Sequence, residues 1–202
     1  MQKLMKVAST YTASVMQEYS LVIYPSLEAT TKINAEKHFF NSQYGQTTNI
    51  RPNIAIANFL AKDMMEETIL RFLQRIFSHH FTFEIALNNY SGFPPDSIYL
   101  RVQNQQPFKQ LAKDLITVNN YIHSCSCPPI KWIGNPHVSI ADHLPETVYL
   151  KAIADYSQKD FFEKFTVNEI ILLRRSNAID SCKTVQVFSL FPQSISTKKM
   201  FN

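Results

Sequence analysis

One short segment of this sequence combines residue types and spacing suited to phosphate chemistry: Pro136-His137-Val138-Ser139-Ile140-Ala141. Its β-branched and small residues favour an extended backbone, and on a strand residues two apart project from the same face, which sets His137 beside Ser139. An imidazole can take or give a proton near neutral pH, and a neighbouring hydroxyl can donate to a non-bridging phosphate oxygen. A lone His-x-Ser in a strand is also common as plain structure, so the surrounding sequence has to decide.

A second copy of the segment exists. Displacing the sequence by 84 residues lays Arg51 to Leu60 over Asn135 to Leu144, with Pro52/Pro136, Ile56/Ile140, Ala57/Ala141 and Leu60/Leu144 identical. The same displacement sets Phe81-Thr82 on Phe165-Thr166, where a strand is expected after a helix in each copy. A fixed period of this kind predicts a duplicated strand, helix, strand unit, each copy burying the other's apolar face. Symmetric halves leave a cleft between them, with equivalent strand positions facing each other across it. Asn53 and Ala55 then stand opposite His137 and Ser139. Asn can hydrogen-bond a phosphate oxygen but cannot shuttle a proton, and Ala presents only a methyl group.

Other residues of chemical interest are placed less specifically. Arg51, Lys131, Arg174 and Arg175 are candidate phosphate partners, and Tyr99 could stack on a base or simply pack. His38 and the His79-His80 pair supply further imidazoles; the pair falls at the end of an expected helix, where a cationic side chain suits the dipole. His143 sits past the end of the His137 strand. His123-x-Cys125-x-Cys127 has ligand-type side chains, but structural zinc usually requires four ligands and Cys-x₂₋₄-Cys spacing. The segment therefore reads as a polar turn with free thiols before Pro128-Pro129, and neither a metal nor a cofactor is called for.

Pro136 to Ala141 resembles the His-x-Thr/Ser signature of the two-histidine phosphoesterase superfamily, which includes the bacterial 2'-5' RNA ligase-like proteins and cyclic nucleotide phosphodiesterases. The family carries that signature twice, at a separation like that of the internal repeat. Further similarities are Tyr19 to Pro25 as a first strand, Phe93-Pro94-Pro95 followed by Ile98-Tyr99-Leu100, and Phe165-Thr166-Val167 running into Leu172-Leu173-Arg174. The resemblance spans Glu18 to Pro192, and its Leu-Leu-Arg match ranks Arg174 first among the basic candidates. It implies an α+β bilobal fold whose two antiparallel sheets line a central cleft with helices outside. It also implies metal-independent chemistry on 2',3'-cyclic or 2'-5' phosphodiesters. One motif histidine would act as base and the other would protonate the leaving oxygen, with the Thr/Ser hydroxyls on the phosphoryl oxygens. This sequence departs from that pattern at Asn53 and Ala55, so a complete two-histidine mechanism is absent. Two readings follow: a slow enzyme using His137 and Ser139, or a module that binds a nucleotide or RNA end without turnover.

The elements that must hold these residues are legible between the prolines. Strands are expected at Glu18–Tyr24, Ile54–Phe59, Phe81–Leu87, Ser97–Val102, Val138–Ala141, Phe165–Leu173 and Lys183–Phe191. Helices are expected around Ala35–Asn41, from Asp63 with Glu66 as its capping-box partner, from Pro107 with Phe108, Leu111, Leu115 and Ile116 on one face, and from Pro145 to Tyr156. Residues 1–17 read as an N-terminal extension, 18–192 as one domain and 193–202 as a polar tail. With 45% hydrophobic residues and a formal charge of +4, the chain suits an ordinary globular protein with an anionic ligand rather than a dedicated nucleic-acid binder. Three cysteines, no signal-type start and no run long enough for a membrane span point to a reducing cytoplasm and no membrane. No obligate protein partner is evident.

Overall fold

The computed structural model describes residues 14–45, 51–177 and 179–192. The expected tail and most of the expected extension lie outside the described residues, but β1 (Met16–Ile23) takes Met16 and Gln17 into the first strand. After Pro25 comes α1 (Leu27–Tyr44), capped by Ser26, whose hydroxyl accepts from the Ala29 N–H at 3.2 Å, and closed by Gly45 in the left-handed region at φ 65°. The sequence shows only the later part of this helix, because Thr30 and Thr31 are weak helix formers. Thr31 is accommodated by donating to the Leu27 carbonyl at 2.9 Å.

The chain continues through β2 (Ile54–Lys62), a 3₁₀ turn (Asp63–Met65), α2 (Glu66–Phe77), β3 (Phe83–Phe93) and β4 (Ser97–Val102). Then come α3 (Gln106–Asp114), α4 (Ile116–Ser124), β5 (Lys131–Trp132), β6 (His137–Ala141) and α5 (Glu146–Tyr156). The last elements are β7 (Phe162–Val167), β8 (Glu169–Arg175) and β9 (Lys183–Ser189). They form two antiparallel sheets, ordered β5-β2-β1-β8-β9 and β6-β4-β3-β7, which is the expected α+β, two-sheet architecture.

Several boundaries differ from expectation for physical reasons. Phe165–Leu173 is not one strand. β7 alternates exposed and buried residues and pairs with β3, whereas Ile170 to Leu173 of β8 are all buried and pair with β1 in the other sheet. Asn168 is the break between them. β3 runs on to Phe93 through a bulge at Asn88-Asn89, where Asn89 takes φ 56° and the register shifts between Leu87 and Tyr90. The helix begun at Pro107 breaks at Leu115, leaving Ile116 51% exposed rather than in the core stripe. Gly92 has a packing reason, since a Cβ there would come within 2.7 Å of the Tyr149 hydroxyl on α5.

The duplication is visible in the sheets. The order β2-β1-β8 repeats as β6-β4-β3, so each half lends one strand to the other's sheet. The 84-residue displacement carries β3 onto β8. It does not make Phe81-Thr82 equivalent to Phe165-Thr166: Phe81 lies exposed ahead of β3, and Phe165 is buried within β7. Helices cross over as well. α1 packs on β6 and β7, and α4 packs on α2, with Phe72 and Tyr121 ring centroids 5.5 Å apart.

The anticipated capping box gives way to a partly buried tertiary contact. Asp63 accepts from the Met64 N–H at 2.8 Å within the 3₁₀ turn, while the Glu66 carboxylate turns to the first sheet. There one oxygen accepts from the Tyr19 hydroxyl at 2.9 Å and from Arg174 Nη1 at 2.7 Å. Tyr19 is fully buried and stacks on Phe59 at 5.2 Å; burial, with the Glu66 carboxylate beside it, pushes the phenol above the usual tyrosine range. Replacing Glu66→Leu removes the acceptor of the buried Tyr19 hydroxyl, and urea unfolding should show a loss of about 1–3 kcal/mol. A change within about 0.5 kcal/mol, ordinary for a surface position, would refute this role.

Candidate active site

Both motif segments follow the same burial alternation. Pro52, Ile54 and Ile56 are buried while Asn53 and Ala55 are partly exposed; Pro136, Val138 and Ile140 are buried while His137 and Ser139 are partly exposed. The apolar positions fix each segment's register in the core, so the intervening positions face the space between the sheets. That space holds a cavity of about 230 Å³ lined by Arg51, Pro52, Asn53 and Ala55 from one segment and His137 and Ser139 from the other. Lys37, Ile133 and Asp142 complete its described wall.

His137 is held from behind. Its Nδ1 lies 2.7 Å from the Asn135 carbonyl, an acceptor, so Nδ1 carries the proton and Nε2 offers its lone pair. Its ring meets Phe93 edge-on at 5.1 Å and Tyr99 at 4.8 Å. Asn135 is itself placed by side-chain bonds, donating to the Tyr99 hydroxyl at 3.1 Å and accepting from Gln105 at 3.1 Å. Tyr99 therefore packs: it is 5% exposed and stacks on Phe93 at 4.3 Å, positioning the imidazole rather than presenting a free face.

Ser139 donates its hydroxyl proton to Asp142, one turn of chain further on. On the other segment, the Asn53 amide donates to the Arg51 carbonyl at 3.0 Å, and the Arg51 guanidinium lies 3.7 Å above the Tyr24 ring. Lys37 reaches the cavity from α1, where it shares the inward stripe with Ile33 and Phe40. Burial pushes its ammonium below the usual lysine range, and the Asp142 carboxylate pulls the other way.

The remaining basic candidates lie elsewhere. Arg174, ranked first from the sequence, pairs across β1 with Tyr19 and is taken up by Glu66; strand parity puts it on the opposite face from Ile171 and Leu173. Arg175 is held by both oxygens of Glu18, at 2.7 and 2.8 Å, and Lys131 is exposed on β5. His80 pairs with Asp114 at 3.1 Å, His79 Nδ1 sits 2.8 Å from the Arg75 carbonyl, and His143 is exposed past the end of β6, 3.9 Å from Asp96. Cys127 is buried with its Sγ 3.7 Å from Met65 Sδ, whereas His123 is exposed. Sequence reasoning missed Lys37 and Asp142. A lysine three and four residues from two buried apolar positions of a helix was the available signal for the first.

A family model described as the 2'-5' RNA ligase superfamily matches residues 28–178. The chain belongs to that superfamily. Solved structures bear out its two-sheet fold. TT0787 of Thermus thermophilus aligns with a TM-score of 0.65 at 14% identity, covering 88% of this chain and all of that one. LigT of E. coli, solved with 3'-AMP, aligns at 0.59 and 14%, covering 88% of this chain and 99% of that one. The same protein, solved with NADP+, gives 0.55 and 14%, covering 87% and 98%. At such identities these likenesses establish a shared fold. No curated protein matches the chain in sequence. Among the described residues no helix is long and apolar enough to cross a membrane.

The two arginines separate experimentally. Arg51→Ala should weaken binding of inorganic phosphate roughly tenfold, the loss of one charge-assisted contact, while Arg174→Ala should leave it within about twofold. Calorimetry at fixed ionic strength checks both, and equal effects would contradict the placement of Arg51.

Proposed function

We propose that this protein binds the phosphodiester of a 2',3'-cyclic or 2'-5' linked nucleotide or RNA end, and hydrolyses it slowly, in the cavity between its two motif segments. The observation that carries the reading is the convergence of His137, Ser139, Asn53 and Ala55 on one cavity that also takes Arg51 and Lys37. Two cationic side chains favour an anion there, and an imidazole with a free Nε2 is set to accept a proton from attacking water. Arg51 also borders a neighbouring hollow of about 520 Å³ walled by Tyr24, Ser26, Thr166 and Thr184, which suits the nucleoside attached to the phosphate. The nucleotides bound by LigT support the same ligand class. Free Cys125, Cys127 and Cys182 support a reducing, cytoplasmic setting.

A second reading, a binding module without turnover, is favoured by one observation: the first motif carries Asn53 and Ala55, and the Asn53 amide is already engaged with Arg51. Catalysis by one positioned acid or base is typically worth about 10² to 10⁴ in rate, so losing one of two motif imidazoles is a severe change.

Incubation with 2',3'-cyclic AMP, with calorimetry of the product 2'-AMP, separates the readings. Turnover that His137→Ala abolishes supports the enzyme, whereas tight binding without turnover supports the module. The cavity's described lining has a single carboxylate, Asp142, shared with Ser139, so EDTA should leave any rate unchanged; loss on chelation with recovery on added metal would refute this chemistry. Rebuilding the first motif with Asn53→His and Ala55→Thr should raise turnover in a His137-dependent manner. A folded double variant no faster than the parent would show that the two segments no longer hold a reactive geometry.

A further inference from the structure

We propose that Lys37 is the general acid of this site, donating a proton from Nζ to the oxygen that leaves phosphorus, in the role for which the first motif has no imidazole. The assignment rests on the hydrolytic reading above.

Three observations converge on it. First, the orientation of His137 suits it to the other end of the reaction: with Nδ1–H given to the Asn135 carbonyl, the neutral ring turns its Nε2 lone pair to the cavity as the base of the first transfer. Second, the side chains of the opposite segment cannot supply a proton. Asn53 is an amide and Ala55 a methyl group, and Arg51, which lines the same wall, does not deprotonate in proteins. Third, Lys37 lines the cavity with those residues although it comes from a different element. Its stem lies on the inward face of α1 with Ile33 and Phe40, and α1 packs on β6, the strand that carries His137 and Ser139. A helix that reaches across to the second sheet thus delivers an N–H acid to the motif wall. Burial lowers the proton affinity of this amine against the pull of Asp142, so its ammonium gives up a proton more readily than that of an exposed lysine. The charged or titratable groups sharing the cavity wall with it are Asp142, His137 and Arg51.

For a 2',3'-cyclic phosphate the step balances as follows. Water adds to phosphorus and passes one proton to His137 Nε2; the ring P–O bond breaks, and the departing ribose oxygen takes its proton from Lys37. The products are a phosphomonoester and a free hydroxyl. Solvent then removes the proton from His137 and returns one to Lys37.

The test compares two substrates of different leaving-group basicity on the intact protein. An acid matters for 2',3'-cyclic AMP, whose leaving group is an alkoxide, and hardly at all for a p-nitrophenyl ester of a nucleotide, whose leaving group needs no proton. Lys37→Arg keeps the positive charge without a transferable proton, and Lys37→Met removes both. For Lys37→Arg, kcat on the cyclic nucleotide should fall about a hundredfold with KM little changed, while kcat on the aryl ester stays within about threefold. The ratio of the two rates is measured on one preparation, so a partly folded variant does not distort it. In the parent, kcat on the cyclic nucleotide should decline with rising pH below the usual lysine range, because the acid must be protonated, and Lys37→Arg should lose that limb. Equal losses on both substrates, or a Lys37→Arg variant as fast as the parent on the cyclic nucleotide, would overturn the assignment while leaving the hydrolytic reading intact. A parent that binds 2'-AMP but turns over neither substrate overturns both.

Discussion

The antiparallel ladder between β1 and β8 is the constraint on which the cavity depends. β1 is central in the five-stranded sheet, with β2 on one side and β8 on the other, and β8 follows β7 of the four-stranded sheet after the single residue Asn168. Pairing Glu18 with Arg175 and Tyr19 with Arg174 therefore ties one sheet to the edge of the other. Both pairs are reinforced, the first by a two-point ion pair and the second by Glu66 reaching in from α2. The same tie continues through β7, where Glu163 accepts from Lys32 of α1. The helix that carries Lys37 is thus anchored to the strand adjoining the crossover, and it also packs on β6, while β2 and β6 touch directly.

Within the cavity the arrangement of charge is uneven. Arg51 is braced by its own Tyr24, and Lys37 faces Asp142, which already accepts a hydrogen bond from the Ser139 hydroxyl. On the function proposed above, a phosphate in this cavity would compete with Asp142 for both Lys37 and Ser139. For Ser139 to bond a phosphoryl oxygen its hydroxyl has to turn away from Asp142, which leaves that carboxylate to the ammonium. Half of the wall is thus a preformed cation and the other half an exchangeable hydrogen-bond set, a different device from two matched histidines.

Much of this was legible in the residues. Period-two alternation around His137 and Asn53 showed which side chains would share a face, and the 84-residue repeat showed that the two faces would meet. What escaped has physical causes. Arg174 ranks first among the basic candidates through the Leu-Leu-Arg resemblance, which says nothing of the face it takes; strand parity on β8 turns it away from Ile171 and Leu173 and toward Glu66. Glu66 looked like a cap because three residues separate it from Asp63, but a buried tyrosine hydroxyl opposite offered a stronger partner than an exposed helix end. Lys37 carries no local signal tying it to His137, since their proximity comes from the packing of α1 on the second sheet.

The exchange of strands between the halves bears on how such an asymmetric site can arise. A half-chain comprising β1, α1, β2, α2 and β3 would leave β1 unpaired on the side that β8 covers, and β3 would have no sheet of its own. Two identical half-chains could satisfy each other by trading that last strand, giving a swapped homodimer with its cavity on the twofold axis. Symmetry would then force both walls to be the same, and any substitution would strike twice. Joining the copies in one polypeptide removes that restriction. One wall can give up its imidazole while the other keeps it, and a lysine can be recruited on one side alone. The pairing of Asn53 with His137 is a state open to a tandem fusion and closed to the symmetric dimer from which the same strands could be built.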